Sequence, residues 1–205
     1  MKIPVLGLAL AAALAVPQMA RAERSQPIVP PPMPGDLVLS PDEFTPFFVG
    51  HAVGTQGYMC VSISGAYKWQ AFGPQATLFD DELGQVMTHF LSPEPFSQLP
   101  SPTWQHSRDT SAVWGKVLKM SSDAAFVDPN AIPWLLLEAS VVGDGPTRGD
   151  KMTVTKRIQR LNTVEGKAPT TGCAAVGDIG KRALVPYEAD YYFYKAKGGK
   201  RSQDE

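Results

Sequence analysis

The stretch VPYEADYYFYK, residues 185–195, carries the clearest structural signal in the chain. Alternate side chains of an extended strand point to the same side of a sheet. One side of this strand would hold Val185, Tyr187, Ala189, Tyr191 and Phe193. The other side would hold Glu188, Asp190, Tyr192 and Tyr194. The alternation predicts a half-buried β-strand of an antiparallel sheet.

Short stretches of the same kind, separated by turn residues, run through the rest of the chain. Strands are predicted at residues 58–63, at 67–72 before Gly73-Pro74, and on both sides of the turn DDELG at 80–84. The apolar run 132–142 fits a strand or a buried helix by periodicity, and its length and flanks favour a central strand. The 19 prolines and 18 glycines leave few windows for a long helix. We therefore predict a single all-β domain, mostly antiparallel, with about eight to ten short strands, as a β-sandwich or a β-barrel.

The two ends of the chain differ from this middle part. Residues 1–22 have the features of a signal peptide: Lys2, an apolar run from Val5 to Val16, and the small-x-small pattern Ala20-Arg21-Ala22. The apolar run is too short for a transmembrane anchor, which needs about 20 residues. Cleavage after Ala22 would leave an exported protein, periplasmic or extracellular, with no later transmembrane segment.

Two further segments flank the predicted domain. Residues 23–35, ERSQPIVPPPMPG, carry five prolines and are predicted to form an extended or polyproline-like linker. The β-rich domain is then expected at 36–195, followed by a charged, flexible tail at 196–205.

Cys60 and Cys173 are the two cysteines of the chain. An even pair in an exported protein favours a disulfide bond, and neither residue lies in a CxxC motif. The alternative is two unrelated buried thiols, because a free cysteine packs as a small apolar side chain.

The segment PTWQHSRDTSAVWG, residues 102–115, concentrates polar residues between two tryptophans. It predicts a hairpin whose loop is either 108–110, with Trp104 facing Trp114, or 109–110, with Trp104 facing Gly115. His106, Asp109 and Arg108, together with His89, are the candidate catalytic residues of the chain. A local triad is not supported, because Ser107 lies on the opposite side of a strand from His106.

The aromatic and basic residues suggest other sites. A ligand site is predicted at Trp104, His106, Arg108 and Trp114, since aromatic rings offer apolar surface with polar edges. A basic patch is interpreted as a solvated strand face, or else as an anion site; it consists of Lys151, Lys156, Arg157 and Arg160.

Several classes of function are not supported by the sequence. The net charge of −1 argues against nucleic-acid binding. No metal site is predicted, because the spacing of His51, His89 and His106 matches no metal-binding motif. No nucleotide-binding glycine pattern is present either, so we predict no cofactor.

Several motifs in order resemble the exported bacterial and fungal proteins catalogued as domain of unknown function 3455. The motifs are GTQGYMC at 54–60, PTWQHSRDTSAVWG at 102–115, AIPWLLLEA at 131–139, IQRLNT at 158–163, Gly172-Cys173 and VPYEADYYFY at 185–194. The resemblance covers about residues 48–195 and implies an exported domain without implying an activity. The segment 92–102 intervenes where many members join two strands directly.

Three functions are consistent with these observations. The first is a non-catalytic exported β-domain that binds a small apolar or glycan-like ligand or an envelope partner. The second is an extracytoplasmic hydrolytic enzyme that uses His106, Asp109 and Arg108, and this would require His89 and His106 to meet in one cleft beside a carboxylate. The third is a purely structural surface protein, which would need no pocket.

Overall fold

The protein folds as a closed barrel of eight antiparallel strands, in which each strand pairs with the next along the chain and the last pairs with the first. The computed structural model describes residues 27–198. The strands are β1 Phe44–Ile63, β2 Ala66–Phe79, β3 Gln85–Pro93, β4 Pro100–His106, β5 Ala112–Ser121, β6 Trp134–Gly143, β7 Thr155–Glu165 and β8 Arg182–Ala196. Two short 3-10 helices lie at Gly35–Leu37 and Val176–Asp178. The all-β prediction is confirmed, and of the two predicted architectures, sandwich and barrel, the protein has the barrel.

The strand β8 lies as its sequence predicts. Tyr187, Tyr191 and Phe193 are buried inside the barrel, whereas Tyr192 and Tyr194 belong to a second cluster on its outer side. The prediction of a half-buried strand is incomplete at this point, because the outer tyrosines are also covered. Tyr192 is 7% exposed and Tyr194 is 5% exposed.

The N-terminal segment 27–39 provides that cover. Leu37 is fully buried against Trp134 and the two outer tyrosines, and Ile28 and Met33 pack beside it. The Leu37 carbonyl accepts a hydrogen bond from the Gln159 side chain at 2.6 Å. Residues 27–35 therefore do more than space the domain from what precedes it, because the apolar outer faces of β6, β7 and β8 need a cover.

The strand β2 runs through Gly73-Pro74, where we predicted that it would stop. The ladder with β1 shifts register next to this point, between Gly57 and Tyr58, so the extra residue is absorbed as a β-bulge. Gly73 adopts a φ of 147°, a conformation that L side chains rarely adopt. The glycine and proline thus bend a continuous strand rather than end it.

The hairpin at 102–115 has neither of the two predicted registers. Trp104 pairs with Val113, and Thr103 pairs with Trp114. The loop is one residue longer than the longer prediction, since the His106 amide donates to the Ser111 carbonyl at 2.9 Å. The two tryptophans therefore lie on opposite sides of the sheet, Trp104 inside and Trp114 outside.

The two ends of the barrel differ. The closed end carries the turns after β2 and β4 and the loop 144–154, and it is filled by Phe48, Met87, Met152 and Phe193. The open end carries the turn after β1, the loops 94–99 and 122–133, and the loop 166–181. At the open end a disulfide joins Cys60 of β1 to Cys173 of this last loop, with 5.5 Å between the Cα atoms.

The remaining sequence predictions concern the ends of the chain. The predicted signal peptide, residues 23–26 of the predicted linker and residues 199–205 of the predicted tail lie outside the described residues. Among residues 27–198, no helix has the length and apolar character required to cross a membrane.

Candidate functional site

A cavity of about 340 Å³ lies inside the barrel towards its open end and is partly open to solvent. This volume is at the lower end of the range of small-molecule sites, roughly 300–1,000 Å³. It is about twice the ~150 Å³ cavity that accommodates one benzene ring. The lining residues are Gln56, Ala71, Phe72, Gly73, Pro74, His89, Leu91, Pro100, Pro102, Trp104, Val117, Leu135, Leu137, Arg160 and Tyr191.

Three aromatic rings, from β3, β4 and β8, meet across the barrel interior and form the floor of this cavity. His89 pairs with Trp104 across β3 and β4, and their rings stack with centroids 4.1 Å apart and planes 6° from parallel. Tyr191 of β8 meets both rings edge-on, at 5.0 Å from His89 and 5.3 Å from Trp104. The closed end lies below these rings, and the cavity lies on their other side.

The protonation of His89 is fixed by its surroundings. Burial lowers its pKa to about 3, and the nearby positive charge of Arg160 acts in the same direction. Nδ1 lies 2.8 Å from the Thr103 carbonyl oxygen and therefore carries the proton of the neutral ring. Nε2 is then an acceptor, and no described residue donates a hydrogen bond to it. The cavity thus contains a neutral imidazole with one free acceptor.

Arg160 is the charged residue of the cavity wall. It pairs with Leu135 on one side and with Tyr191 on the other, so that the three residues form one inward-facing row. Its Nε and Nη2 atoms donate to the Pro133 carbonyl at 3.2 and 2.8 Å. Within residues 27–198, none of the ion pairs includes Arg160. A half-buried guanidinium is therefore held in place without a carboxylate partner.

The wall of the barrel is open between β4 and β5 beside this cavity. These strands pair over only three positions, Thr103 to Gln105, and then separate. Pro100 and Pro102 lie in the part of β4 beyond the pairing, and proline has no amide hydrogen to donate to a ladder. Both prolines and Val117 of β5 line the cavity and also an outer groove of about 720 Å³. The gap therefore adjoins both the interior and the surface.

The comparison with protein families gives one result over this domain. The model of the family described as "Protein of unknown function (DUF3455)" matches residues 41–195. The chain belongs to this family. The match spans all eight strands of the barrel. No curated protein and no solved structure matches the chain. The DUF3455 domain of this chain therefore has to be interpreted from its own residues.

Two of the predicted catalytic residues, His106 and Asp109, lie in a different cluster, at the closed end of the DUF3455 domain. The turn curls back and places Asp109 Oδ1 3.1 Å from His106 Nδ1. The Asp109 carboxylate also accepts from the Ser111 hydroxyl at 2.7 Å and from the Lys151 amide at 2.8 Å. Partial burial raises the pKa of Asp109, but these hydrogen bonds outweigh it and hold the pKa below its usual value.

This arrangement has the residue types of a triad in the wrong order. In a catalytic triad the histidine contacts the hydroxyl, whereas here the Ser111 hydroxyl donates to Asp109 and accepts from the Met152 amide. Ser111 is fully buried and His106 is 5% exposed. Burial lowers the pKa of His106, with Lys151 and Arg108 acting in the same direction against Asp109. The cluster ties the β4–β5 turn to the loop 144–154.

The glycines of the loop 144–154 serve the same contact. A Cβ atom at Gly149 would lie 2.0 Å from the Asp109 carbonyl oxygen, so only glycine allows the loop to approach the turn this closely. The Thr147 hydroxyl donates to that carbonyl at 2.9 Å. The glycine-containing segment GDGPTRG, residues 143–149, thus has a packing role at the closed end.

The structure separates the other predicted site residues. Trp104 lies in the cavity floor, and its Nε1 atom has no acceptor among the described residues. Trp114 lies on the outer side, where its Nε1 atom donates to the Ser92 hydroxyl at 2.9 Å. Arg108 is exposed in the turn at the closed end. His89 lines the cavity and His106 does not, so the two histidines do not share a cleft.

The sequence groups Arg160 with a basic patch that was interpreted as a solvated strand face or else as an anion site, and the structure places Arg160 in the cavity wall. The inward position of Arg160 could have been predicted from Ile158, which is apolar and two residues earlier, because residues two apart in a strand lie on the same side. Arg157 is on the other side of β7, with its guanidinium over the ring of Phe44 at 5.0 Å. Among residues 27–198, no group of three histidine, cysteine or acidic residues is placed to bind a metal ion.

His51 lies on the outer surface between two carboxylates. Its Nδ1 atom is 2.6 Å from Asp190 and its Nε2 atom is 3.0 Å from Asp81. Partial burial lowers the pKa of His51, but the hydrogen bonds and negative charges of Asp190 and Asp81 outweigh it. The pKa is therefore raised above its usual value of 6.5.

This pair gives a pH-dependent prediction. Because the folded pKa is raised, the stabilisation by His51 is fully present below pH 6.5 and is lost as the pH rises through the folded pKa. The difference in melting temperature between the wild type and His51→Gln should therefore be larger at pH 5.5 than at pH 8, and small, since the pair is partly exposed. Asp81→Asn should reduce the pH dependence. A difference that grows with pH would contradict this assignment.

Proposed function

We propose that the protein is an exported, non-catalytic barrel that binds a small, mostly apolar molecule in the cavity at its open end. The observation that carries this proposal is the cavity itself, with its stacked floor of His89 and Trp104 and its aliphatic wall. Aromatic and aliphatic lining with a few polar groups is typical of sites that bind small organic molecules. The gap between β4 and β5 would be the entrance.

Other features support export. A disulfide bond between Cys60 and Cys173 fits an oxidising compartment, since cytosolic proteins keep their thiols reduced. The predicted signal peptide at 1–22 agrees with this placement. In the cluster of His106, Asp109 and Ser111, the histidine and the serine are buried and the Asp109 carboxylate is held by hydrogen bonds within the protein, which suits a structural role better than hydrolysis.

The proposal predicts that filling the cavity abolishes binding. Leu135 faces the cavity in the same row as Arg160, so Leu135→Trp should occupy the space that a ligand needs. Leu184→Trp is the matched control, because Leu184 is 56% exposed on β8 and does not line the cavity. Binding of 3-phenylpropanamide and 3-phenylpropanoate should be measured by NMR chemical-shift titration of both variants and the wild type.

We expect the wild type and Leu184→Trp to bind at least one of these compounds, with shifts concentrated at Trp104 and His89. Leu135→Trp should lose at least ten-fold in affinity. Binding that survives unchanged in Leu135→Trp would overturn the proposal, as would shifts confined to the outer surface or a lack of binding to the wild type.

A further inference from the structure

The charge inside the cavity indicates the chemical class of the ligand. Arg160 is the one residue among the cavity's lining residues with a permanent charge, and none of those residues is an aspartate or a glutamate. The guanidinium is half-buried, and the described residues place no carboxylate within 4.0 Å of it, so a carboxylate ligand would supply the missing partner of opposite sign. Resting on the proposed function, we infer that the cavity binds a small monocarboxylate, with its carboxylate on Arg160 and its apolar body against Trp104 and Tyr191.

The guanidinium is positioned for such a contact. A guanidinium has five N–H donors in a fixed plane. Two donating atoms, Nε and Nη2, bind the Pro133 carbonyl and thereby fix the orientation of the plane. Donors remain for an incoming carboxylate, and charge-assisted hydrogen bonds are about twice as strong as neutral ones.

The rest of the cavity limits the body of the ligand. The volume of about 340 Å³ suits one ring with a short chain. Leu135 and Leu137 offer aliphatic surface next to the aromatic floor. The free acceptor at His89 Nε2 would accept a hydrogen bond from one hydroxyl or amine group of the ligand. An aryl or branched-chain monocarboxylic acid, with or without one hydroxyl group, fits these features.

The pH dependence of binding distinguishes this site from an anion site based on histidine, and it is set by the titratable groups around Arg160. Those that face it are Tyr58 of β1, His89 of β3 and Tyr187 and Tyr191 of β8. Burial raises the pKa of each tyrosine, and His89 stays neutral because its pKa is about 3. Affinity for a carboxylate should therefore change less than about two-fold between pH 5.5 and 8, whereas an anion site based on histidine would weaken above about pH 6.5.

The test compares 3-phenylpropanoate with 3-phenylpropanamide, which have nearly the same shape and differ in charge. The wild type should bind the carboxylate roughly 10- to 100-fold more tightly than the amide, the range expected for hydrogen bonds to a charged group. Arg160→Met should remove this preference, because it should lower the affinity for the carboxylate more than the affinity for the amide. Arg157→Met, on the outer side of the same strand, should retain the preference.

The outcomes separate this inference from the proposed function. If the wild type binds both compounds equally and Leu135→Trp binds neither, the cavity is a ligand site but the carboxylate inference is wrong. The inference is also wrong if Arg160→Met, shown to be folded by its circular dichroism spectrum, retains the preference. If Leu135→Trp binds both compounds as the wild type does, the proposed function fails together with the inference.

Discussion

Removal of the disulfide between Cys60 and Cys173 is expected to lower the free energy of unfolding by about 4–5 kcal/mol. The bond joins residues 113 apart in sequence, and a crosslink over a loop of that length strongly restricts the unfolded chain. The folded barrel does not need the bond to bring the two segments together. The Cys60 amide donates to the Lys181 carbonyl at 2.9 Å, and the Gly180 amide donates to the Cys60 carbonyl at 2.9 Å.

The measurement is urea denaturation of the wild type, oxidised and reduced, and of the double variant Cys60→Ala/Cys173→Ala. Reduction of the wild type leaves both side chains in place, so it isolates the crosslink from the packing of the buried Cys60. The reduced wild type and the double variant should both unfold at lower urea than the oxidised protein. The double variant should be slightly less stable than the reduced wild type. Equal midpoints for oxidised and reduced protein would show that the crosslink contributes nothing.

The sequence predicts strands well where one local rule decides them. The alternation in residues 185–195 places Tyr187, Tyr191 and Phe193 inside correctly, because the two-residue period of a strand needs no knowledge of its neighbours. The turn at 80–84 is also placed correctly between β2 and β3. The closure of the barrel depends instead on pairing between β1 and β8, far apart in sequence, and no local pattern reports it.

The errors have the same origin. Gly73-Pro74 ends a strand by propensity, but pairing with β1 carries the chain through a bulge. The register at Trp104 depends on Asp109. Its carboxylate accepts hydrogen bonds from the Ser111 amide in the hairpin and from the Lys151 amide in the loop 144–154. The sequence indicates the candidate site only in part: Trp104 and His89 were among the predicted residues and lie together, whereas Arg160 was grouped with a basic patch, as a solvated strand face or else an anion site. The pairing of β7 with β6 and β8 turns that arginine into a cavity residue.

The second large effect concerns Leu37, which lies at the start of the predicted domain and directly after the predicted linker 23–35. Leu37→Ala is expected to lower the free energy of unfolding by about 2–5 kcal/mol, as is usual for a fully buried leucine. Leu37 is 0% exposed and packs in the outer cluster with Trp134, Leu161 and Tyr194. Truncation of the Leu37 side chain would leave a void over β6, β7 and β8, and the short N-terminal segment could not move to fill it.

Val38→Ala is the matched control, since Val38 is the next residue and is 56% exposed. It should change stability by no more than about 0.5 kcal/mol in the same urea titration. If Leu37→Ala and Val38→Ala have the same free energy of unfolding, the segment does not stabilise the barrel and the outer tyrosines do not need its cover. If the expected difference is found, Leu37 anchors the N-terminal segment to the outer faces of β6, β7 and β8. The proline-rich composition of residues 27–34 suits such a segment, because a restricted chain loses less conformational entropy when it packs across the barrel.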